Sequence, residues 1–185
     1  SEDALAQVFE RQHERDLRYC HTTGAWFVWD GTRWKRDRRQ LAFNYAREIC
    51  RDFGGGAVKF SKAAVASAVE RFACSAPTLA VDSSVWDQSP WLLGTPAGVV
   101  DLKTGKVREA RHDDYITRTT TIEPEPGEPT RWLAFLRDAT RDDAGLIRFL
   151  QQVAGYCLTG STREHALFFI SGAGGNGKSV FLNTL

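Results

Sequence analysis

Apolar positions along residues 3–73 recur with the period of a helix in three separate stretches. Leu5, Val8 and Phe9 mark one face of a charged helix predicted near residues 3–15. A second amphipathic helix is predicted over residues 42–53, and the glycines at 54–56 end it. A third begins with Ser61 as its N-cap. The predicted inward positions of the second and third helices are Ala42, Tyr45, Ala46, Ile49, Cys50 and Phe53, and then Val65, Ala68, Val69, Phe72 and Ala73.

Strand-like patterns interrupt these helices. Residues 24–34 are rich in tryptophan and predict a β-hairpin, with strands at 25–29 and 32–35 joined through Asp30-Gly31. Short strands are also predicted at 92–93, 99–102, 106–107 and 115–117, with a turn at Thr104-Gly105. Helices interleaved with short hairpins predict an α+β domain over residues 1–122.

Residues 123–129 separate this domain from the rest of the chain. The segment Glu-Pro-Glu-Pro-Gly-Glu-Pro holds half of the chain's six prolines and no apolar side chain. It therefore predicts an extended acidic linker. Over residues 130–185 we expect one helix capped by Thr130 and another that starts at Asp142 or Asp143. Their predicted inward residues are Trp132, Phe135, Leu136 and Ala139, and then Leu146, Phe149, Leu150, Val153, Ala154 and Cys157.

The last part of the chain carries the strongest chemical signal. A short apolar run at 166–170 predicts a buried strand. A complete Walker A pattern, G-x-x-x-x-G-K-S, follows it and is expected to bind a nucleoside triphosphate with Mg²⁺. Glycines bring backbone N–H groups up to phosphate oxygens, the lysine reaches the β- and γ-phosphates, and the serine hydroxyl ligates Mg²⁺. The loop consists of Gly172, Ala173, Gly174, Gly175, Asn176, Gly177, Lys178 and Ser179, with a helix expected from about Gly177.

Composition adds few constraints. Hydrophobic residues make up 42% of the chain, charged residues 25%, and the net charge is +1, so any surface for nucleic acid must be local. No apolar run approaches the roughly 20 residues of a membrane span, and no membrane partner is expected. The cysteines form no C-x-x-C pair, which disfavours zinc and favours free thiols in a reducing cytoplasm. They are Cys20, Cys50, Cys74 and Cys157.

Several blocks, taken in order, resemble the phage and plasmid primase-helicase family. These are superfamily 3 helicases, with poxvirus primase-helicases as distant relatives. The blocks are the hairpin W-x-x-W-D-G-x-R-W at 26–34, residues 91–105, residues 114–118 and the continuous segment 149–183. Gly94 departs from the family pattern, in which asparagine is expected before Thr-Pro.

The resemblance implies an ATP-dependent DNA helicase of phage, prophage or plasmid replication, acting in the bacterial cytoplasm. It implies a helicase-associated domain up to about residue 122 and the start of an AAA+-like α/β P-loop ATPase domain from about residue 130. It also implies a ring, usually a hexamer, on single-stranded or forked DNA. Lys178 is the implied catalytic residue. The Walker B acids, the sensor residue and the arginine of a neighbouring subunit are expected beyond Leu185, so this chain alone is not expected to hydrolyse ATP.

A basic cluster beside the hairpin is the candidate DNA surface. Cations would contact phosphates there, and tryptophan rings would stack on bases. The alternative, which the alternating pattern favours, is a solvated hairpin edge above tryptophans that pack inward. The cluster consists of Arg33, Lys35, Arg36, Arg38 and Arg39.

Two further sets of possibilities are weighed against the helicase. Asp82, Asp87, Asp113 and Asp114 lack the accompanying histidine or lysine pattern that would support a two-metal nuclease site. A nucleoprotein-remodelling ATPase without unwinding activity, and a non-catalytic DNA-binding and oligomerisation module, both stay open as functions.

Overall fold

The three predicted N-terminal helices are present and share one core with a sheet. The computed structural model describes residues 1–54, 60, 62–172 and 174–185. Helices α1 (Glu2–His13), α2 (Leu41–Gly54) and α3 (Ala63–Ala73) pack against one another. Their apolar faces enclose a cluster that also includes Leu17, Trp26 and Leu79. Burial of this apolar surface is the main favourable contribution to folding.

A four-stranded sheet completes this core. Its strands are β1 (Leu17–Cys20), β2 (Ala25–Trp29), β3 (Trp34–Arg36) and β4 (Ala80–Val81), in the order β3-β2-β1-β4. The predicted hairpin is confirmed, but Trp29 pairs with Trp34, so the connection has four residues rather than the predicted two. β1 and β4, which pair in parallel, were not predicted. Their pairing joins segments about 60 residues apart, and no local pattern reports it.

The direction in which two phenylalanines point differs from the prediction. Phe53 is 63% exposed and Phe72 is 51% exposed, although both were assigned to inward faces. On α3 the buried positions are Ala66, Val69 and Ala73. Small residues allow α3 to approach α1 and α2 closely, and this rotates Phe72 away from the core. Phe53 lies in the last turn of α2, at the edge of the core.

The capping of these helices also differs in part. Ser61, Gly55 and Gly56 lie outside the described residues. The residue at the N-cap of α3 is Lys62, which forms no side-chain capping bond. Before α2, the carboxylate of Asp37 accepts hydrogen bonds from the backbone N–H groups of Arg39 and Leu41, at 2.8 and 2.6 Å.

A second, antiparallel sheet follows. It consists of β5 (Leu92–Thr95), β6 (Gly98–Asp101) and β7 (Lys106–Arg108), in that order. The turn at Thr104-Gly105 is confirmed: Gly105 has a φ of +69°, and its N–H donates to the carbonyl of Asp101. The strand predicted at 115–117 is absent. A 3₁₀ turn, His112–Asp114, ends with Tyr115 at a φ of +48°, which takes the chain out of an extended conformation.

The structure gives a physical reason for Gly94. A Cβ at this position would collide with the backbone carbonyl of Arg118 and approach Ile116 Cγ2 to 2.8 Å. The same segment is fixed to β5 by a hydrogen bond from Thr120 N–H to the Gly94 carbonyl, 2.9 Å long. Any side chain, including the asparagine expected from the family pattern, would require this segment to move.

Helices predominate after the linker. Residues 121–130 are exposed, and the next elements are α4 (Thr130–Thr140), α5 (Ala144–Cys157) and α6 (Lys178–Thr184). Asp143 caps α5 as predicted, accepting from Leu146 N–H at 3.0 Å. Thr130 is the first helical residue rather than the cap, which is Pro129. Leu136 and Val153 are buried, whereas Leu146, Phe149 and Cys157 are exposed and their inward assignment was wrong.

The strand predicted at 166–170 is not formed. Leu167 is 91% exposed and Phe169 is 87% exposed. No strand in the described part of the chain pairs with this segment. A strand requires a hydrogen-bonded neighbour, so an apolar run without one does not form a strand and is exposed to solvent. The described residues therefore form an α+β domain followed by helices, and the division at residues 123–129 stays a prediction. Within the described residues, no helix has the length and apolar character needed to span a membrane.

We predict that Phe9→Ala destabilises the fold far more than Phe72→Ala. Phe9 is fully buried, so its truncation should lower the free energy of unfolding by about 3–5 kcal/mol, through lost burial and a cavity. Phe72 is half exposed, and its truncation should cost less than about 1 kcal/mol. Urea unfolding of the two variants measures both values. A similar large loss for both would mean that Phe72 faces the core after all.

Candidate functional site

The described Walker A residues follow residues 165–171, which form no regular secondary structure, and lead into α6. Gly175 and Gly177 have φ values of +76° and +83°, a left-handed conformation that L side chains rarely adopt. α6 begins at Lys178, with Gly177 as its N-cap, so the helix starts where the sequence predicts. Ser179 is exposed in the first turn. Ala173 lies outside the described residues.

The side chain of Lys178 lies across this loop. Its Nζ donates to the Gly172 carbonyl at 2.8 Å and to Asn176 Oδ1 at 2.7 Å. One ammonium group therefore joins the beginning of the loop to its far side. The Gly172 carbonyl and Asn176 Oδ1 are neutral oxygens, which an ammonium group binds less strongly than it binds anionic ones.

Helix α4 packs against the backbone of the Walker A loop. A Cβ at Gly177 would approach Phe135 Cε2 to 2.8 Å, so the loop backbone lies directly on this ring. Next to it, the rings of Trp132 and Phe181 stack with centroids 5.7 Å apart. The role of Phe135 under the loop was missed in the sequence, where it was assigned only to an inward helical face. No local signal connects two positions that lie 42 residues apart.

A cavity of about 320 Å³ adjoins the loop. Aromatic and aliphatic side chains from α4, α5 and the 166–170 segment line most of it, while Asn176, Gly177 and Lys178 form one wall. An apolar cavity with a few convergent polar groups is the usual character of a small-molecule site.

The basic hairpin cluster is divided by the structure into paired and unpaired cations. Asp30 accepts hydrogen bonds from the backbone N–H groups of Thr32 and Arg33, both at 2.9 Å, and forms ion pairs with Lys35 at 2.7 Å and Arg33 at 3.8 Å. Burial raises the pKa of the Asp30 carboxyl, but the Lys35 ammonium and these N–H donors outweigh it and hold the pKa well below its usual value.

The remaining cations of the cluster, Arg36, Arg38 and Arg39, are exposed and form no ion pair with any described residue. DNA contact through these residues stays a prediction.

Trp26 and Trp34 are packing residues of the hairpin, whereas Trp29 is partly exposed, with its ring beside those of Trp34 and His112. Trp34 is fully buried and Trp26 is 7% exposed. The indole N–H of Trp34 donates to the His112 carbonyl at 2.9 Å, and that of Trp26 donates to Glu70 Oε1 at 3.0 Å. Rings held in this way offer no face to a nucleic acid base, which agrees with the inward packing that the alternating pattern favours.

Three of the four acidic residues weighed as metal ligands, Asp82, Asp87 and Asp114, have structural partners, and Asp113 is exposed. Asp114 accepts a bidentate pair from Arg108, at 2.6 and 2.8 Å, and caps the Arg111 N–H. Burial raises the pKa of Asp114, but Arg108 and this N–H outweigh it and lower the pKa. Asp87 accepts from Thr117, and Asp82 accepts from Ser84 N–H. No group of three metal-ligating side chains occurs among the described residues.

All four cysteines are free thiols. Cys20 and Cys50 are buried, Cys74 is partly buried and Cys157 is exposed. Burial raises the pKa of the Cys74 thiol to about 11, and so it is protonated and unreactive at neutral pH.

Comparison with known proteins gives two findings. The family model described as D5 N terminal like matches residues 6–141. A putative helicase, L207/L206 of Acanthamoeba polyphaga mimivirus, is 26% identical over 103 residues, which is 54% of this chain and 11% of that protein. The chain therefore spans about a tenth of the length of this relative.

We predict that Asp30→Ala destabilises the hairpin in a pH-dependent way. At pH 7 the variant should lose about 1–2 kcal/mol of unfolding free energy, because two backbone N–H groups and Lys35 lose their acceptor. The pKa of Asp30 is lower in the folded state, so its contribution is present above the unfolded pKa of about 3.9 and is lost as the pH falls through the folded value.

Urea unfolding at pH 7 and below pH 4 measures the difference in unfolding free energy between the wild type and Asp30→Ala. This difference should be smaller at the lower pH. Asp52→Ala, which removes an exposed carboxylate from α2, is the matched control and should leave stability nearly unchanged. If the difference in unfolding free energy between the wild type and Asp30→Ala were the same at all pH values, Asp30 would act without its charge.

Proposed function

The chain belongs to the D5 N terminal like family of primase-helicases, and from this premise we propose that it is part of an ATP-dependent DNA helicase. The single observation that carries the ATP assignment is the Walker A loop, with Lys178 Nζ directed back across it. Family membership and the putative viral helicase support the choice of DNA unwinding over other uses of ATP. The chain spans about a tenth of that relative, so the activity is proposed for the full-length protein.

The described residues fit a phosphate ligand. Gly175 and Gly177 have left-handed backbones, the conformation in which successive N–H groups of a loop converge on an anion. Two acceptors of Lys178 Nζ, the Gly172 carbonyl and Asn176 Oδ1, are neutral oxygens of the loop itself. Phosphate oxygens are stronger acceptors for an ammonium group, so Lys178 is placed to exchange one set for the other.

Each residue has a stated role in this proposal. The amides of 174–177 hold the phosphate chain, Lys178 neutralises the β- and γ-phosphates, and Ser179 ligates Mg²⁺. Bound ATP with Mg²⁺ supplies the phosphoryl group whose transfer to water drives movement along DNA. The ring of Phe135 packs against the loop backbone at Gly177, and so Phe135 is a positioning residue. The ring oligomer and the single-stranded or forked DNA substrate follow from the family and belong to the same proposal.

The test is ATP hydrolysis by the full-length protein, with and without single-stranded DNA. We predict that Lys178→Ala lowers turnover on the order of 100-fold or more, because the cation that stabilises the transferred phosphoryl group is lost. Lys106→Ala removes an exposed lysine of β7 and is the matched control, with turnover expected to be unchanged. Turnover of Lys178→Ala at the wild-type level would overturn the assignment of the loop.

Other outcomes separate the alternatives. DNA-stimulated turnover together with strand displacement on a forked duplex would establish the helicase. Turnover that is indifferent to DNA, without displacement, would favour a remodelling ATPase. Absence of both ATP binding and turnover in the full-length protein would favour a DNA-binding and oligomerisation module.

A further inference from the structure

A groove between α2 and α3 is positively charged. It is separate from the Walker A loop and from the basic hairpin cluster. Its charged lining residues among the described part of the chain are Arg47 and Arg51 from α2 and Lys62 at the start of α3. Two rings, Phe43 and Phe60, form its apolar floor. The groove encloses about 330 Å³ and has no carboxylate among the described residues that line it.

The three cations of this groove are exposed and close to one another. Arg47 and Arg51 are four positions apart on α2, so they lie on one helical face about 6 Å apart along the axis. Arg47, Arg51 and Lys62 form no ion pair with any described residue. The acids of the same helix, Glu48 and Asp52, do not line the groove. The local field is therefore positive although the chain is almost neutral overall.

This arrangement contrasts with the basic hairpin. There, Asp30 balances Lys35 and Arg33, and the neighbouring tryptophans are buried. In the groove, the cations are unbalanced, and the floor is aromatic. Phe43 and Phe60 are partly buried and pack against the N-terminal core, which fixes the rings in place without covering them fully.

We propose that the α2–α3 groove binds single-stranded DNA, with phosphates against Arg47, Arg51 and Lys62 and a base against the phenylalanine floor. Cations that follow the backbone, together with aromatic rings that contact bases, are the combination by which proteins hold single strands. A duplex keeps its bases stacked inside and cannot offer one to this floor. The choice of DNA as partner rests on the proposed function, but the binding itself does not depend on ATP hydrolysis.

The test uses the full-length protein and fluorescence anisotropy with a fluorescein-labelled oligo(dT). The variant Arg47→Gln/Arg51→Gln is expected to weaken binding at least tenfold. It should also reduce the slope of log K against log[salt] by about 1.4, since each lost phosphate contact to a single strand removes about 0.7. Glutamine retains the helix propensity of arginine, so α2 should stay folded, which circular dichroism and urea unfolding check.

The matched control is Arg11→Gln/Arg15→Gln. These two arginines are also exposed and four positions apart, at and just after the end of α1, so the same net charge is removed outside the groove. Binding by this control is expected to stay within about twofold of wild type. An equal loss in the two double variants would show a general charge effect and would overturn the proposal.

Two further measurements identify the site and the ligand. Arg36→Gln/Arg39→Gln should leave binding nearly unchanged, and a loss there instead would move the DNA surface to the hairpin and overturn the proposal. An abasic oligonucleotide should bind several-fold more weakly than oligo(dT), and a duplex of the same length should compete poorly. Competition by poly-glutamate as effective as that by oligo(dT) would overturn DNA in favour of an acidic protein partner.

The two proposals fail separately. Lys178→Ala should bind oligo(dT) normally while losing ATP turnover. Arg47→Gln/Arg51→Gln should keep its basal turnover and lose only the stimulation by DNA. If the wild-type protein showed no ATP turnover but still bound oligo(dT) through Arg47 and Arg51, the groove proposal would stand and the helicase proposal would fail.

Discussion

The burial of Trp34 joins the two sheets, and much of the structure depends on it. Trp34 is the first residue of β3, and its fully buried ring lies beside the rings of His112 and Tyr115 in the segment 112–116. The indole N–H donates to the His112 carbonyl, and the backbone N–H donates to the Ile116 carbonyl at 2.8 Å. This segment therefore covers the outer edge of the four-stranded sheet, which would otherwise present unpaired backbone groups to solvent. A strand at 115–117 is incompatible with the 3₁₀ turn that brings the His112 carbonyl to this indole and the Ile116 carbonyl to the Trp34 backbone N–H.

The burial of the hairpin tryptophans also limits what the hairpin can bind. Tryptophans that hold two sheets together cannot also stack on bases, and Asp30 uses much of the nearby positive charge to close the β2–β3 loop. Basic residues of the hairpin and of the α2–α3 groove therefore differ in whether a nearby acid balances their charge. Lys35 lies in β3 and pairs with Asp30 of the β2–β3 loop, while Arg47 and Arg51 line a groove in which no described lining residue is acidic. Local density of arginine and lysine in the sequence does not distinguish these two cases, because the compensating partner is set by the fold.

The phosphate loop depends on a different contact. Gly177 lies on the ring of Phe135, and Phe181 stacks on Trp132, so α4 carries the loop and the first turn of α6. The left-handed glycines permit this close approach as well as the loop conformation itself.

Local periodicity and motif spacing were sufficient for α1, α2, α3, the tryptophan hairpin, the turn at Gly105, an aspartate cap on α5 and the start of α6 close to Gly177. Each of these is stabilised by contacts between residues close in sequence, or requires a particular residue at a particular backbone angle. The tertiary structure alone decided the parallel pairing of β1 with β4, the outward positions of Phe53 and Phe72, and the lack of a strand at 166–170. The physical reason is the same in all three cases. A strand exists only beside a partner and a helical face is inward only against a neighbour, and those partners lie far away along the chain.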